Sequence, residues 1–245
     1  MNITPPAFYQ PAYSIGPDSV TATDETADLS NATRDKRAFA ITNKLWPQNK
    51  TLTIAFVDMP DQAKAFITKK IKDTYSGITN IKLDFVDGSA GDIRISGSKE
   101  IKGNWSTMGT DALKIPANEP TMHLDIYVPK SLLAMHALHE IGHTLGLDHE
   151  HQHPDRTLVF NTKKTYELYQ KAFGWDYTTT YQQILKPADR STIKHSDYDP
   201  KSIMQYNLHE SVLWKQDTTG YNATLSTIDK TFLKSLYPPA PPESA

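Results

Sequence analysis

Residues 139–149 read HEIGHTLGLDH, and this stretch restricts the fold more than any other part of the sequence. His139 and His143 are four positions apart, so on a helix both imidazoles lie on one face, about one turn apart. Gly146 follows, and glycine takes the left-handed backbone conformation that ends a helix and turns the chain. His149 lies three residues beyond that turn, where the chain can bring it back towards the first two histidines. The spacing His-Glu-x-x-His-x-x-Gly-x-x-His therefore predicts a helix that presents a metal site.

The residue types indicate zinc in a catalytic site. The chain contains no cysteine, so thiolate ligands and disulfides are excluded. Structural zinc usually has four protein ligands, whereas three histidines leave one position open for water. Glu140, next to the first histidine, is placed to take a proton from that water and pass it to a leaving amine. We therefore predict that one zinc ion is bound by His139, His143 and His149.

A second, overlapping His-Glu-x-x-His pattern begins at His149 and ends at His153. It requires a continuous helix, which Gly146 interrupts before the pattern and Pro154 ends directly after it. It also lacks a third ligand at a suitable spacing. We therefore expect His151 and His153 to lie in a polar loop that follows the site.

Two further histidines are candidates for the surroundings of the site. His136 precedes His139 by one helical turn, and we expect it to be an ordinary supporting or surface histidine. His123 lies in a predicted strand near the site and is a candidate for facing the substrate, although one histidine in a strand does not by itself indicate a site.

The composition excludes several classes of partner. The chain has 245 residues, of which 38% are hydrophobic and 22% charged, with a formal net charge of −2, as is usual for a globular protein. There is no strong basic run, so we expect no nucleic-acid partner. No stretch approaches the roughly 20 apolar residues that a membrane helix needs, so we expect no membrane partner. We also expect a monomer.

The chain is predicted to consist of three parts. Residues 1–33 contain four prolines, four acidic residues and no Lys or Arg, which favours a flexible arm or pro-segment over residues 1–37. Residues 38–238 read as one continuous catalytic domain without linkers or repeats. Residues 239–245 read as a disordered, proline-rich tail. The N-terminus lacks the basic and apolar regions of an ordinary signal peptide.

Hydrophobic periodicity predicts a mixed fold in the first half of the domain. Helices are predicted over 60–76 and from Pro129 through the histidine motif, and the second half is irregular until a last helix over 227–237. Ser226 and Asp229 have the spacing of a capping pair for this last helix. The predicted strands are 51–57, 81–87, 92–96 and 120–128.

The stretch HEIGHTLGLDHE resembles the zinc-binding signature of the metzincin metallopeptidases, and Glu150 after the third histidine resembles the astacin branch. SIMQY at 202–206 is similar to the methionine turn of that clan. Bacterial astacin-like proteins contain sequences similar to DYDPKSIMQY, WSTMGTDA, PTMHLD, HEHQHPDR and LSTIDKTFLKSLYP. The resemblance covers about residues 38–238. It implies an α+β metzincin-like zinc-metalloprotease domain, with a mixed twisted sheet, two main helices in the N-terminal half and an irregular C-terminal half that ends in a helix.

The resemblance also implies a function and residue roles. Tyr206 would be an extra metal ligand at rest and would move to stabilise the oxyanion, and Met204 would form the floor of the site. The three histidines would bind zinc, and Glu140 would be the general base and acid of an endopeptidase acting on protein or peptide substrates. The strand at 120–128 would be the upper rim, with which an extended substrate pairs. The alternatives are a narrow-specificity protease toxin or effector, and a non-catalytic, zinc-stabilised binding protein, which would be expected to have lost Glu140 or a ligand.

Comparison with three other groups of the clan narrows the resemblance to the bacterial astacin-like proteins, and it also raises a hypothesis about activation. Animal astacins carry disulfides, serralysins carry glycine-rich calcium repeats and matrixins lack the tyrosine, so the bacterial astacin-like proteins are the best match. We expect an exported bacterial protein, although a cytoplasmic one is not excluded. In classical astacins a new N-terminus pairs with the glutamate that corresponds to Glu150. The sequence RDKR at 34–37 is a candidate cleavage site, although we favour a plain basic run, since charge runs are usually solvated.

Overall fold

The computed structural model describes residues 38–238, so the predicted arm over 1–37 and tail over 239–245 lie outside the described residues. The strands are β1 (Phe39–Ile41), β2 (Thr51–Val57), β3 (Lys82–Phe85), β4 (Ile93–Ser96), β5 (Trp105–Ser106), β6 (Met122–His123) and β7 (Ile193–His195). The α-helices are α1 (Asp61–Tyr75), α2 (Lys130–Thr144), α3 (Thr162–Phe173), α4 (Tyr177–Thr180) and α5 (Thr227–Leu236). Among these helices, none is both long and apolar enough to cross a membrane.

Five strands form one mixed sheet in the order β3-β2-β4-β6-β5. The pairs of β2 with β3, β2 with β4 and β4 with β6 are parallel, and β5 pairs with β6 in the antiparallel sense. Helix α1 connects β2 to β3, because parallel neighbours need a long crossover connection. The glycine-containing turn between β3 and β4 does not form a hairpin, since β2 lies between them. A separate two-stranded sheet joins β1 to β7.

The two main helices of the first half pack on each other and on the large sheet. Ile67 and Ile71 on one face of α1 are fully buried, as are Leu52 and Ile54 of β2. Tyr75 at the end of α1 donates a hydrogen bond of 2.6 Å to the carbonyl of Leu138 in α2. Because α2 carries the histidine motif, this packing fixes the position of the motif relative to the sheet.

Most predicted elements are confirmed, and the predicted strand over 120–128 is mostly wrong. Only Met122–His123 is a strand, because the chain then turns: the N–H groups of Asp125 and Tyr127 donate to side-chain oxygens of Asn104 and Asp125 rather than to a neighbouring strand. The predicted rim strand also lies between β4 and β5, so β5 is the edge of the sheet on this side.

The second half of the domain is irregular, as predicted, and ends in α5. Ser226 accepts a hydrogen bond from the N–H of Asp229, and the Asp229 carboxylate accepts one from the N–H of Ser226. This reciprocal pair is the predicted capping box. A stretch of π-helix, Tyr181–Leu185, follows α4, and a short 3-10 turn, Glu150–Gln152, follows the third motif histidine.

Candidate metal centre

The three motif histidines come together on the buried face of α2 and the turn that follows it. His143 Nε2 lies 3.1 Å from His139 Nε2 and 3.0 Å from His149 Nε2. Within residues 38–238, this is the only group of three potential metal ligands whose donor atoms lie within 4.8 Å of one another. The overlapping pattern from His149 to His153 forms no such group among those residues.

Two of the three rings are oriented by backbone carbonyl groups. Nδ1 of His139 lies 2.8 Å from the carbonyl oxygen of Ile203, and Nδ1 of His143 lies 2.8 Å from that of Leu147. A carbonyl oxygen only accepts hydrogen bonds, so each Nδ1 carries the proton and each neutral ring keeps a lone pair on Nε2. The two Nε2 atoms are 3.1 Å apart, and their lone pairs repel each other unless a cation lies between them.

The donor set fits zinc. Zn–N distances of about 2.0–2.1 Å in a tetrahedral site place neighbouring nitrogens roughly 3.3 Å apart, close to the spacing found here. Burial lowers the pKa of His139 and of His149 well below the usual value, and it also lowers the pKa of His143. The imidazoles are therefore neutral at pH 7, which is the form that binds a metal.

The third histidine is delivered by the glycine turn. Gly146 has φ +91°, the left-handed conformation predicted from the sequence. The carbonyl of Gly146 accepts the Ile41 N–H at 3.1 Å, and the Asp148 N–H donates to the Phe39 carbonyl at 3.2 Å. Strand β1 therefore runs along the turn and fixes the path of the chain towards His149.

Two aromatic residues from distant parts of the chain hold the end of α2. Trp46 Nε1 donates to the Thr144 carbonyl at 2.7 Å, and the Tyr237 hydroxyl donates to the Leu145 carbonyl at 2.9 Å. The last carbonyl groups of a helix lack partners within the helix, so such contacts satisfy them. They keep the second histidine and the glycine turn in a defined position.

The methionine turn lies beneath the motif. A Cβ atom on Gly142 would clash with the sulfur of Met204, so glycine at this position lets the turn approach α2 closely. The Ile203 N–H donates to the buried Asp229 carboxylate at 2.8 Å, while the Ile203 carbonyl faces His139 Nδ1. Asp229 therefore positions the peptide that orients the first histidine. The capping pattern predicted Asp229 only as a helix cap, and no sequence signal indicated this second contact.

Substitution of Gly142 by Ala is expected to destabilise the fold, because the added methyl group overlaps the Met204 sulfur. Overpacking of this kind costs about 1–3 kcal/mol, which lowers the melting temperature by several degrees. Thermal denaturation measures this effect. Gly220→Ala is the matched control, since a Cβ there meets no atom within 4 Å. Equal melting temperatures for the two variants would contradict the close contact between helix and turn.

Glu140 and Tyr206 flank the histidines. Both carboxylate oxygens of Glu140 are buried and have no hydrogen-bond partner among the described residues, and burial raises the pKa of this carboxyl well above its usual value. The centroid of the Tyr206 ring lies 4.3 Å from that of His149. Burial raises the pKa of Tyr206 well above its usual value, so its hydroxyl is a neutral donor.

The prediction that His151 and His153 lie in a polar loop is wrong, because both side chains are fully buried. The 3-10 turn Glu150–Gln152 folds inwards, and His151 Nε2 donates to the Gln183 carbonyl at 3.0 Å. His153 packs with its edge against the Phe39 ring, at 5.7 Å between centroids. Neither residue shares the metal group.

The other two histidines have supporting positions. His136 is buried and lies 3.0 Å from the side-chain amide of Asn104, which agrees with the predicted supporting role. The ring nitrogens of His123 face the carbonyl oxygens of Gly103 and Ser98, and the side chain is buried. His123 therefore holds the loop over β6 rather than facing a substrate.

A protein-family model matches residues 39–238: astacin, a peptidase family. The chain belongs to the astacin family. It is therefore a zinc metalloendopeptidase of the metzincin type, and its three-histidine group fits the zinc site of such an enzyme. The sequence resemblance and the predicted α+β fold class are both confirmed.

Solved structures agree with this assignment. A structure of myroilysin has a TM-score of 0.77 and 27% identity, covering 82% of this chain and 99% of that chain. A crystal structure of myroilysin has a TM-score of 0.61 and 27% identity over 81% and 87%. High choriolytic enzyme 1, a hatching enzyme zinc-protease from the medaka fish Oryzias latipes, shares the fold, with a TM-score of 0.53, 19% identity and coverage of 80% and 95%. No curated protein sequence matches the chain.

Proposed function

We propose that this member of the astacin family cleaves internal peptide bonds by attack of an activated water. The observation that carries the proposal is the convergence of three histidine nitrogens, together with the buried carboxylate of Glu140, which follows the first histidine and has no hydrogen-bond partner among the described residues. Glu140 is the general base and acid, and Tyr206 stabilises the oxyanion. The residues that hold zinc are His139, His143 and His149.

In the proposed reaction Glu140 carries a proton from the attacking water to the leaving amine, and Tyr206 donates one hydrogen bond. Zinc, when bound, supplies Lewis acidity that makes water nucleophilic at neutral pH and polarises the peptide carbonyl. Glu140 accepts the proton of the attacking water and then delivers it to the leaving amine. Burial raises the pKa of Glu140 above its ordinary value, which favours the carboxyl form that holds the proton between the two steps. The neutral Tyr206 hydroxyl donates to the oxygen on which negative charge develops.

An extended substrate is proposed to pair with β5. Residues Trp105–Ser106 end the order of the five-stranded sheet and pair with β6 on one side. The backbone groups on the other side of an edge strand can bind a peptide as an additional strand. The sequence had assigned substrate pairing to the strand over 120–128, whereas we assign it to β5, which lies beside that strand at the edge of the sheet. We propose a monomeric, exported protein that acts on protein or peptide substrates.

Cleavage of a mixed peptide library, read by mass spectrometry, tests the endopeptidase proposal. We expect internal cuts from zinc-loaded protein, none after treatment with a chelator, and recovery when zinc is added back. Cuts restricted to peptide termini would contradict the proposal. Cleavage of many peptides would also distinguish a broad protease from the narrow-specificity alternative, for which the described residues offer no specific support.

Substitution of Tyr206 by Phe is expected to lower kcat about 10²–10³-fold, the usual effect of removing one oxyanion donor. The ring remains, so its contact with His149 and the fold are preserved. Steady-state kinetics with a peptide identified in the library measures the effect, and zinc content confirms loading. Tyr221→Phe, at an exposed tyrosine, is the control. An unchanged kcat in Tyr206→Phe would remove Tyr206 from the mechanism.

Activation by cleavage after Arg37 remains a hypothesis, because residues 34–37 lie outside the described part of the chain. Its support is the carboxylate of Glu150: the Asp199 N–H donates to one oxygen at 2.6 Å, whereas the other is buried without a partner among the described residues. The first described residue, Ala38, is also buried. Mass spectrometry of active protein decides the matter, since an intact Met1 on fully active enzyme would refute cleavage.

A further inference from the structure

The phenol ring of Tyr206 contacts two imidazole rings, those of His149 and His151, whose own centroids are 5.6 Å apart. Its centroid is 4.3 Å from His149, with the planes tilted by 58°, and 4.3 Å from His151, with the planes only 24° apart. His149 belongs to the three-histidine group, but His151 does not. One face of the tyrosine therefore contacts a ring that lies outside the three-histidine group.

His151 is held firmly in place. Its side chain is fully buried, and its Nε2–H donates to the Gln183 carbonyl at 3.0 Å in the π-helical stretch Tyr181–Leu185. The next residue, Gln152, donates to the carbonyl groups of Gln182 and Lys186 at 2.7 and 3.1 Å. Two successive side chains thus attach the turn after the third motif histidine to the π-helical stretch, and the plane of the His151 ring is fixed.

The contact between His151 and Tyr206 is made by ring faces. The second nitrogen of His151, Nδ1, is buried and has no hydrogen-bond partner among the described residues, so it does not hold the tyrosine by a polar contact. Near-parallel aromatic rings at this separation attract each other and restrict the tilt of each ring. A flat contact of this kind limits where the Tyr206 hydroxyl can lie.

We propose that His151 is a positioning residue for Tyr206: its imidazole stacks on the phenol ring and restricts the tilt of that ring, and with it the positions that the hydroxyl can take when it stabilises the oxyanion. This inference rests on the proposed function, in which the Tyr206 hydroxyl is the donor. His151 contacts neither substrate nor metal in this role. Its effect is to restrict the orientations of the donor, so that less conformational freedom is lost when the hydroxyl binds the oxyanion, and this lowers the barrier.

Two substitutions separate the ring contact from the hydrogen bond. His151→Gln keeps an N–H group for the Gln183 carbonyl and removes the flat ring, whereas His151→Phe keeps the ring and removes the N–H group. We expect His151→Gln to lower kcat roughly ten- to hundredfold, the effect of a misplaced catalytic group, with little change in KM. We expect His151→Phe to retain most of the kcat. Zinc content and melting temperature verify that both variants are loaded and folded.

A direct measure of the tyrosine ring complements the kinetics and needs neither metal nor turnover. In zinc-free protein labelled with 3-fluorotyrosine, the fluorine resonance of Tyr206 is assigned by its absence in Tyr206→Phe. Stacked rings shift this resonance, so we expect the shift to persist in His151→Phe and to decrease in His151→Gln. An identical Tyr206 resonance in wild type and His151→Gln would overturn the proposal.

The double variant distinguishes this inference from the proposed function. If His151 acts through the tyrosine hydroxyl, His151→Gln lowers kcat much less in a Tyr206→Phe background than in wild type, because coupled residues are not additive. An equal loss in both backgrounds would overturn the inference. An unchanged kcat in Tyr206→Phe alone would instead refute the proposed oxyanion role, while the fluorine resonance would still report whether His151 positions the ring.

Discussion

Replacement of Glu140 by Gln is expected to lower kcat/KM by about 10²–10⁴-fold, the usual contribution of a general acid–base group. The amide has nearly the same shape as the carboxylate but does not accept a proton from water at neutral pH. The three histidines are unchanged, so one equivalent of zinc remains bound. Peptide cleavage read by mass spectrometry, together with metal analysis, measures both effects.

The melting temperature of Glu140→Gln tests whether burial of the Glu140 carboxylate destabilises the fold. Both Glu140 oxygens are buried without partners among the described residues, and burial raises the pKa of the carboxyl. A neutral amide avoids the cost of burying a charge, so we expect the melting temperature of Glu140→Gln to equal or exceed that of wild type. Glu210→Gln, at an exposed glutamate, controls for the loss of one negative charge. Turnover retained in Glu140→Gln would show that another group moves the proton.

Replacement of His143 by Ala is expected to remove zinc and activity together. Its Nε2 lies within 3.1 Å of the Nε2 atoms of both other histidines, so it is central to the donor set. Loss of a residue that only supports a ligand costs roughly 10–100-fold in metal affinity, and loss of a ligand itself should cost more. Competition with a chromogenic zinc chelator measures the affinity, and the peptide assay measures the activity.

His209→Ala provides the matched control for this substitution, because it removes an exposed histidine that the metal group does not include. We expect His209→Ala to bind one equivalent of zinc with wild-type affinity. Wild-type zinc affinity in His143→Ala would contradict the three-histidine site. A zinc-free but folded His143→Ala protein is the expected outcome, since the large sheet and its core lie outside the metal group.

The histidine motif could be predicted from the sequence because its geometry depends on residues close together in the chain. The spacing of four residues on α2 brings His139 beside His143, and a single positive φ at Gly146 lets the chain turn towards His149. Both features depend on helix periodicity and on the conformational freedom of glycine, which operate within a few residues. The same holds for the capping box of α5, which joins positions three residues apart.

The structure around the histidine motif was predicted less accurately from the sequence. A strand was predicted over 120–128, but the side chain of Asn104 accepts the N–H of Asp125 and ends the strand pairing early. His151 and His153 were assigned to a polar loop because Gly146 and Pro154 interrupt the helix that a second metal-binding pattern would require. Their burial depends on Gln183 and Phe39, which lie in distant parts of the chain.

The sequence by itself determined the residue types of the metal motif and their spacing, because these depend on contacts within a few positions, and the motifs spread along the chain determined the family. Only the tertiary structure decided how the site is supported. The carbonyl that orients His139 comes from Ile203, 64 positions later, and is held by Asp229. Tyr206 likewise meets His149 and His151, stacking on the second of these rings. Such contacts form only when the core packs distant segments together, and no local pattern specifies which residues will meet.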